Sequence, residues 1–440
     1  MKHVIIVGGG FAGYHCARKL AKNREFRITL IDRNNYQQFQ PLLYQVAAGF
    51  LAPGNIAHSL RSLFVPQPNV EIKLDEIVSA DPKTCSATTV HGHTYRGDYL
   101  VLAAGSQANF FGTPGADKYT FPLYSLHDAE LLRSRIISVL EAADRDPGLI
   151  DKGALNFVLV GAGPTGTEMA GCLGDMVHHV LEQEYPHLPL SRTGIYVVDM
   201  GHAVLGAFSE KAQAYAAKML EERGVKIHLR TAVKEVGEGH VLLSDGTRIQ
   251  THTVVWAGGL RAASLSENLG VRPGRGGRID VQADLTIEGY PNVYALGDFA
   301  NIAGKDGKPL PQLGSVAEQA GKWCAKNIIA DSEGKERKPF AYLDKGIMAM
   351  IGRNAAVAEV GPHRMELEGG IAFAAWLGVH ATLLTTMQSK VEAFVEWAWD
   401  YFSEVKGDQV LDRFREEGIN WDADLPSPPE QAQAKPAGES

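Results

Sequence analysis

Two stretches decide the fold: residues 4–13 read VIIVGGGFAG, and residues 156–166 read NFVLVGAGPTG. In each stretch an apolar run of strand length ends in a GxGxxG turn, and a helical pattern follows. A second apolar run comes next, at residues 28–31 in the first case and at residues 195–198 in the second. Strand, glycine turn, helix and strand make a βαβ unit, so the sequence predicts this unit twice.

The first glycine turn predicts a cradle for a dinucleotide. Gly8, Gly10 and Gly13 permit a tight turn and the close approach of a pyrophosphate, which the N–H groups of the following helix can bind. Asp32 ends the next strand, where its carboxylate can accept hydrogen bonds from ribose hydroxyls. The alternative is a glycine turn without a ligand, and the strand and helix on either side disfavour it.

The second glycine turn repeats the fingerprint and indicates which nucleotide it binds. Asp199 ends its second strand, later than usual, and a longer helix and a loop at residues 185–193 accommodate the delay. Met200 and Gly201 follow, without an adjacent arginine to bind a 2′-phosphate. The sequence therefore predicts NADH rather than NADPH.

Two such turns indicate either two occupied sites or an old duplication in which one site has decayed. Two further strands, at residues 99–105 and 254–259, end in small residues, as expected where a chain passes close to a nucleotide. A third ends at Asp298 beside a glycine, which suits the ribityl hydroxyls of a flavin, although an acid there can also cap a helix. These strands favour two working sites.

The order of the elements predicts an α/β protein with two nested Rossmann-like dinucleotide-binding domains, as in the glutathione-reductase-like enzymes, followed by a C-terminal module with amphipathic helices. We expect residues 1–118 and 270–345 to form the first domain and residues 119–269 the second. Residues 346–422 form the C-terminal module. Residues 423–440 are rich in Pro, Ala, Gln and Gly and predict a disordered tail.

Composition excludes several functional classes. The net charge of −8, without a dense Lys/Arg run, disfavours nucleic acid as a partner. The four cysteines are far apart, which disfavours a disulfide framework, and neither cysteines nor histidines show metal-ligand spacing. The apolar run at residues 371–384 contains His380 and Thr382, so no spanning helix is expected. Without a secretory signal, we expect a cytoplasmic protein that can lie on the inner face of the cell membrane.

Beyond these motifs, the chain resembles the two-dinucleotide-binding-domain flavoproteins, and among them the type II NADH:quinone oxidoreductases. The likeness is carried by four stretches: QPLLYQVA at 40–47, GAGPTGTE at 161–168, GIMAMIGR at 346–353 and EWAWDYF at 396–402. The resemblance implies FAD in the first domain and NADH in the second. It also implies hydride transfer to the flavin, followed by transfer of two electrons to a quinone.

The resemblance also implies the roles of individual residues. Those expected to bind the cofactors are Gly8, Gly10, Phe11, Ala12, Gly13, Asp32, Arg33, Gln40, Ala104, Gly105, Asp298, Gly161, Gly163, Pro164, Thr165, Gly166, Asp199 and Gly258. Glu168 corresponds to the acid near the nicotinamide and the flavin, although the helix dipole also favours a carboxylate there. Gln319 keeps one of the family's glutamines near the quinone, while Ser315 and Ala320 replace two others.

Two lysines and the C-terminal helix complete the candidate features. Lys345 and Lys390 are cations that can stabilise negative charge on a reduced flavin or quinol. An apolar stripe follows helical spacing and comprises Met387, Val391, Phe394, Val395, Ala398 and Phe402. It can lie in a membrane interface, or pack on the protein body or on a second subunit of a homodimer. An acidic face, formed by Glu392, Glu396 and Asp400, supports the packed alternatives.

Three other functions stay open. A flavoprotein of this kind can reduce a soluble acceptor instead of a quinone. A sulfide:quinone oxidoreductase requires reactive cysteines beside the flavin, and Cys172 and Cys324 are the candidates. The third function is not enzymatic: a redox sensor that binds flavin and NADH without turnover.

Overall fold

The computed structural model describes residues 1–361, 363–402 and 419–423. Its first sheet has six strands, and the first glycine turn leaves the end of one of its central strands. In spatial order the strands are Thr286–Ile287, Tyr290–Ala295, Tyr99–Leu102, Lys2–Val7, Phe26–Asp32 and Val70–Leu74. All neighbours are parallel except the edge strand Thr286–Ile287. Helix α1 (Phe11–Leu20) connects two of these strands, as the first βαβ unit predicts.

The second sheet has five parallel strands and carries the second glycine turn. In spatial order they are Phe121–Pro122, Thr253–Trp256, Asn156–Val160, Gly194–Val198 and Val225–His228. Helix α2 (Pro164–Met176) follows the turn and continues through the π turn Val177–Leu181 to Glu184. This extension and the loop after it account for the late position of Asp199.

Strands from residues 2–102 and 286–295 build the first sheet, and the strands of the second sheet lie between these two segments in sequence. The predicted fold class, two nested α/β units, is therefore confirmed. The predicted domain limits stay a prediction. Helix α3 (Gly314–Ser332) belongs to the first unit and packs along α1, where a Cβ on Gly321 would lie 2.1 Å from the carbonyl oxygen of Ala12. The two helix backbones therefore touch.

Small antiparallel ladders and further helices complete the two units. The ladders pair Tyr36–Gln38 with Ala57–Ser59, Ser106–Ala108 with Leu260–Ala262, Ile77–Asp81 with Ser86–Thr89 and Thr94–Arg96, and Val233–Val236 with His240–Leu243 and Arg248–Gln250. A parallel pair joins Ile279–Asp280 to Ala300–Asn301. The remaining α-helices of four residues or more in the described chain are Leu43–Ala47, Pro53–Ile56, Leu60–Phe64, Ala116–Tyr119, Leu126–Arg145 and Glu210–Glu222.

The C-terminal module is an antiparallel sheet followed by two helices. The strands are Gly346–Gly352, Ala355–Val360 and Met365–Glu368, and the helices are α4 (Gly369–Leu383) and α5 (Met387–Phe402). Its first strand presses against α2, because a Cβ on Gly171 would lie 1.9 Å from the carbonyl oxygen of Ile351. The ion pair of Arg223 with Asp175 of α2, at 2.8 Å, lies beside this contact.

Helix α5 packs on the body with the face opposite to the predicted apolar stripe. Ser389 and Ala393 are fully buried, and the indole N–H of Trp397 donates to Gln45 at 2.8 Å. Four residues of the stripe are 57–73% exposed: Met387, Val391, Phe394 and Val395. The neighbouring Trp399 is 65% exposed. The helix therefore packs on the body, as one alternative predicted, but through the face opposite to the stripe, which stays exposed and available to a membrane or a second subunit.

The acidic face is only partly open. Glu396 accepts a hydrogen bond from Asn55 at 3.2 Å, and Glu392 accepts one from Gln388 at 2.7 Å. The side chains of Asp400 and Phe402, residues 403–418 and most of the predicted tail, residues 424–440, lie outside the described residues. Within the described chain, no helix has both the length and the apolar character needed to cross a bilayer.

Candidate active site

The two glycine turns have the same backbone geometry. Gly8 has a φ of 98° and Gly161 a φ of 108°, in the region that favours glycine. A Cβ on Gly8 would lie 2.2 Å from the carbonyl oxygen of Ala103, and a Cβ on Gly161 would lie 2.4 Å from that of Ala257. Each turn is thus pressed against the end of a neighbouring strand. This contact explains the small residues that end those strands.

The last glycine of each turn lets the helix begin close to the turn. A Cβ on Gly13 would lie 1.8 Å from the carbonyl oxygen of Gly8, and one on Gly166 would lie 1.9 Å from that of Gly161. Real side chains never approach a carbonyl so closely, so substitution at either position must distort the turn. The fold itself therefore requires glycine at these four positions, whether or not a ligand binds.

The middle glycines differ, because their missing side chains face open space. Gly10 has a φ of −69° and Gly163 a φ of −71°, values that any residue adopts, and a Cβ on either would have no neighbour within 4 Å. The protein fold therefore does not require glycine at these positions. A ligand backbone that must approach the helix N-terminus does require it, as a pyrophosphate would.

The two acids that follow the cradles support the turns in the same manner. Asp32 accepts a hydrogen bond from the backbone N–H of Gly9 at 2.6 Å, and Asp199 accepts one from the backbone N–H of Ala162 at 2.7 Å. Burial raises the pKa of Asp32, while its bonds to backbone N–H groups oppose that rise. Each acid therefore stands beside its glycine turn at the predicted position for a ribose.

Both cradles open into one cavity of about 1720 Å³. Its wall reaches from the first cradle to the second, and onward to helices α4 and α5. The predicted site residues on this wall are Gly10, Phe11, Ala12, Gln40, Gly105, Pro164, Thr165, Glu168, Asp298, Lys345 and Lys390. This volume exceeds that of an ordinary single-ligand pocket, so more than one ligand group fits.

Other predicted residues do not line this cavity. They are Gly8, Gly13, Asp32, Ala104, Gly161, Gly163, Gly166, Asp199, Gly258 and Gln319. Arg33 is exposed and lines a separate cleft with Asn34. Gln319 turns away from the cavity, since its amide bonds both the N–H and the carbonyl of Leu343 at 3.0 Å. Gln312, earlier in the same segment, lies on the wall instead.

Asp298 lies on the cavity wall at the predicted flavin site. Its carboxylate accepts a hydrogen bond from the Ser106 hydroxyl at 3.1 Å, and burial raises its pKa. Tyr124 accepts a bond from the backbone N–H of Ser106 at 3.1 Å, and burial together with the Asp298 charge raises the Tyr124 pKa to about 12. Three polar side chains thus converge where hydroxyl groups of a ligand can bind.

Glu168, on the second turn of α2, is a buried acid of the cavity, with 8% of its surface exposed. Burial raises its pKa from 4.5 to about 8. The backbone N–H of Met350, which donates to Oε1 at 3.2 Å, opposes that rise. At neutral pH the side chain is therefore mostly protonated, and it can release or take up a proton close to physiological pH.

An aromatic group on α4 links Glu168 to the C-terminal module. The indole N–H of Trp376 lies near enough to lower the pKa of Glu168, yet it has no partner at hydrogen-bonding distance. The Trp376 ring stacks on His380, with centroids 4.0 Å apart. Tyr44 is also buried, and burial followed by the Glu168 charge raises the pKa of Tyr44. Two aromatic side chains thus lie near the acid.

The two candidate lysines have different surroundings. Lys345 is exposed at the cavity rim, and its charge helps to lower the pKa of Glu318, after the stronger effects of Lys322 and His15. Lys390 donates to the carbonyl of Thr382 at 2.6 Å, which ties the start of α5 to the end of α4. Both lysines line the cavity, Lys345 at its rim and Lys390 beside the end of α4.

The cysteines do not converge on the cavity. Cys324 lies against Cys16 between α3 and α1, in the core of the first unit, and burial with the Cys16 contact raises its pKa. Cys172 is buried on α2 in the other core. Cys172 and Cys324 are therefore small buried residues in separate cores, and they do not form the reactive pair that a sulfide:quinone oxidoreductase requires. Among the described residues, no group of three potential metal-binding side chains comes together.

Comparison with known proteins agrees with this geometry. Residues 2–321 match the model of a family described as pyridine nucleotide-disulphide oxidoreductase. A type II NADH:quinone oxidoreductase of Mycobacterium tuberculosis is 37% identical over 424 residues, which cover 93% of this chain and 90% of that protein. The chain belongs to the type II NADH:quinone oxidoreductase family. A member from Staphylococcus aureus is 30% identical over 370 residues, covering 82% of this chain and 90% of that protein.

Solved structures place this family member in the same fold. NDH2 of Plasmodium falciparum, solved in complex with NADH, superposes with a TM-score of 0.83 at 19% identity and covers 92% of this chain and 99% of that one. The sulfide:quinone oxidoreductase of Aquifex aeolicus has a TM-score of 0.71 at 19% identity and covers 92% and 96%. At these identities the likeness concerns the fold.

Four residues of the site escaped the sequence prediction: Ser106, Tyr124, Trp376 and His380. Ser106 and Tyr124 lie outside the glycine motifs and meet only through the tertiary fold. Trp376 and His380 do carry a signal, because polar or aromatic residues four apart share a helix face. In the apolar run of α4 that spacing singles out one side of the helix.

Proposed function

We infer that this protein catalyses the reaction of NADH, a proton and a quinone to give NAD⁺ and a quinol, with FAD as its resident cofactor. The observation that carries this function is the single cavity into which both cradles open. A nicotinamide and a flavin bound in these cradles can meet there. Glu168 stands on the same wall, where it can exchange a proton with solvent or ligand.

The residues around the first cradle fit FAD. Gly10 leaves room for a pyrophosphate at the start of α1, and Asp298 with Ser106 offers bonds to ribityl hydroxyls. Gln40 lies on the wall, and its buried Oε1 has no hydrogen-bond partner, although a buried polar atom normally has one. FAD, when bound, supplies the transfer of two electrons between the nicotinamide and the quinone.

The three predicted catalytic residues have distinct roles in this proposal. Glu168 holds a proton near the second cradle and moves it as the reaction proceeds. Lys345 places a positive charge at the acceptor side, which favours negative charge on a developing quinol. Gln319 acts indirectly, because its bonds to the Leu343 backbone fix the segment that carries Lys345.

The acceptor side of the cavity supports a lipophilic substrate. Val379, Leu383 and Met387 line the cavity and are also 40%, 45% and 73% exposed, so the cavity opens on an apolar surface. A quinone with an apolar tail can enter there from a bilayer without crossing water. We propose that α4 and α5 lie on the inner face of the cell membrane. A homodimer that covers the same face is the alternative.

The test of the function is anaerobic mixing of the FAD-loaded protein with NADH. We expect rapid bleaching of the flavin absorbance, and rapid return of the colour on addition of a ubiquinone or menaquinone analogue. Slow bleaching would support a sensor, and bleaching without reoxidation by quinone would support a soluble acceptor. Flotation in a density gradient tests the membrane surface separately. We expect the protein to float with anionic liposomes and to stay at the bottom of the same gradient without liposomes.

Asp199 predicts a preference for NADH that mutation can relax. In the double variant Asp199→Ser with Met200→Arg, a hydroxyl replaces the acid and an exposed guanidinium is added. We expect the ratio of kcat/KM for NADPH to that for NADH to rise by about 10²-fold, because a charge-assisted bond to the 2′-phosphate replaces a repulsion. Met200→Arg alone is the control and should give a much smaller rise, since Asp199 remains.

A further inference from the structure

His380 has one ring nitrogen committed and one available to the cavity. Its Nδ1 lies 2.9 Å from the carbonyl oxygen of Trp376, one turn earlier in α4. Because a carbonyl oxygen only accepts hydrogen bonds, Nδ1 must carry the proton. In the neutral ring, Nε2 then carries a lone pair and acts only as an acceptor.

The surroundings hold the ring in this state. One face stacks on Trp376 with an angle of 22° between the rings, and Phe39 presents a near-perpendicular ring at 6.2 Å. Rotating the ring by half a turn would break the Nδ1 bond. Burial lowers the pKa of His380 to about 4, so the ring is neutral at physiological pH. The fold, rather than solvent, therefore selects the tautomer.

The available nitrogen belongs to the cavity wall. His380 is 8% exposed and lines the cavity. Among the described residues, none bonds Nε2. Because Nε2 can accept a hydrogen bond but not donate one, a ligand that brings a donor to this position gains more than one that brings another acceptor.

We propose that Nε2 of His380 accepts a hydrogen bond from a hydroxyl group of the quinol, so that this residue favours the reduced acceptor over the oxidised one. The inference rests on the proposed function. Both oxygens of a quinone are carbonyls and offer no proton to Nε2. Reduction by two electrons and two protons turns them into hydroxyl groups, and one of these can donate.

The proposal predicts that His380 affects kcat and quinol binding but not quinone binding. A hydrogen bond that forms only as the acceptor gains its protons stabilises the later part of the reaction and the product. Removal of the acceptor atom should therefore weaken quinol binding and lower kcat, while the KM for the quinone stays nearly constant. A residue that merely supports α4 would change all three quantities together.

The experiment compares a quinol analogue with its dimethyl ether, which has the same shape and no O–H. Binding of both to the FAD-loaded protein is measured anaerobically by titration calorimetry. We expect the wild type to prefer the quinol by about tenfold, and His380→Phe to reduce this preference to less than twofold. His380→Gln keeps an acceptor and should retain most of it. His179→Phe, at an exposed position on the extension of α2, should change nothing.

Two results would overturn the assignment: a wild type that binds the quinol and its ether equally, or an unchanged preference in His380→Phe. If His380→Phe loses FAD, the His380→Gln comparison and ¹⁵N shifts of labelled His380 decide, and a proton on Nε2 would contradict the proposal. Quinone turnover is measured in parallel. Its absence, with NADH still bleaching the flavin, would reject the proposed function and not only the role of His380.

Discussion

Replacement of Gly163 by valine is expected to raise the KM for NADH by at least about 10²-fold while FAD stays bound. A side chain at position 163 would enter open space in the folded protein, and its φ of −71° suits valine. The added methyl groups would occupy the space that the pyrophosphate needs at the N-terminus of α2. Steady-state kinetics with NADH, together with the flavin absorbance and the unfolding temperature, measure the effect.

The same substitution at the other positions separates ligand binding from folding. Gly10→Val should fold and lose FAD, because Gly10 has the same open geometry in the first cradle. Gly166→Ala should instead lower the unfolding temperature, since its Cβ would lie 1.9 Å from the carbonyl oxygen of Gly161. Gly54→Val, at an open position away from both cradles, is the control. A normal KM for NADH in Gly163→Val would contradict the assignment of the second cradle.

The glycine turns were predictable because their requirements are local. Gly8 and Gly161 can be recognised by their spacing after a strand. The small residues at the ends of the strands that contact them can also be recognised in the sequence. Asp32 and Asp199 follow from the length of a βαβ unit. The start of the helix Leu126–Arg145 is also encoded locally, because Ser125 forms a capping box with Asp128.

Longer-range features were less predictable. Gln319 keeps the family's register, yet the chain segment at Tyr342 and Leu343 covers that face of α3, and helical spacing does not encode the cover. Ser315 on the same face bonds the Tyr342 hydroxyl at 2.9 Å. Replacement of the family glutamine by Ser315 therefore shortens a side chain where the cavity meets this segment.

Helix α5 shows the limit of a hydrophobic pattern. Its apolar stripe is real, but spacing alone does not say whether the stripe or the opposite face packs on the body. The orientation of the helix depends on Trp397, whose indole N–H donates a hydrogen bond to Gln45, a residue far away in sequence. Because that bond needs Trp397 inward, the stripe faces outward and becomes available to a membrane or a second subunit.

Glu168→Gln is expected to lower kcat by about 10²-fold, the usual loss when a proton-transfer group is removed. Glutamine keeps an oxygen that accepts the Met350 N–H, so the fold and FAD binding should persist. It has no proton to exchange near pH 8. In the wild type, kcat should fall as the pH rises through about 8, because the protonated acid is the active form. In the variant that limb should vanish.

The pH dependence of the unfolding free energy tests the protonation of Glu168 independently of the kinetics. The pKa of Glu168 is about 8 in the folded protein against 4.5 for an ordinary glutamate, so folding favours its protonated form. Its contribution to stability is complete below pH 4.5 and is lost as the pH rises toward 8. Between pH 6 and pH 9 the wild type should lose roughly 3 kcal/mol of unfolding free energy more than Glu168→Gln. Glu182→Gln, an exposed position further along, should behave as wild type.

Together the two measurements distinguish a catalytic acid from a structural one. A carboxylate that serves only the dipole of α2 would be ionised, would stabilise the helix at high pH, and would leave kcat unchanged when replaced. The buried environment of Glu168 predicts the reverse in both respects, because a dry pocket disfavours the charge and a nearby ligand uses the proton. Equal pH dependence of stability in the two proteins, with equal kcat, would return Glu168 to the structural role.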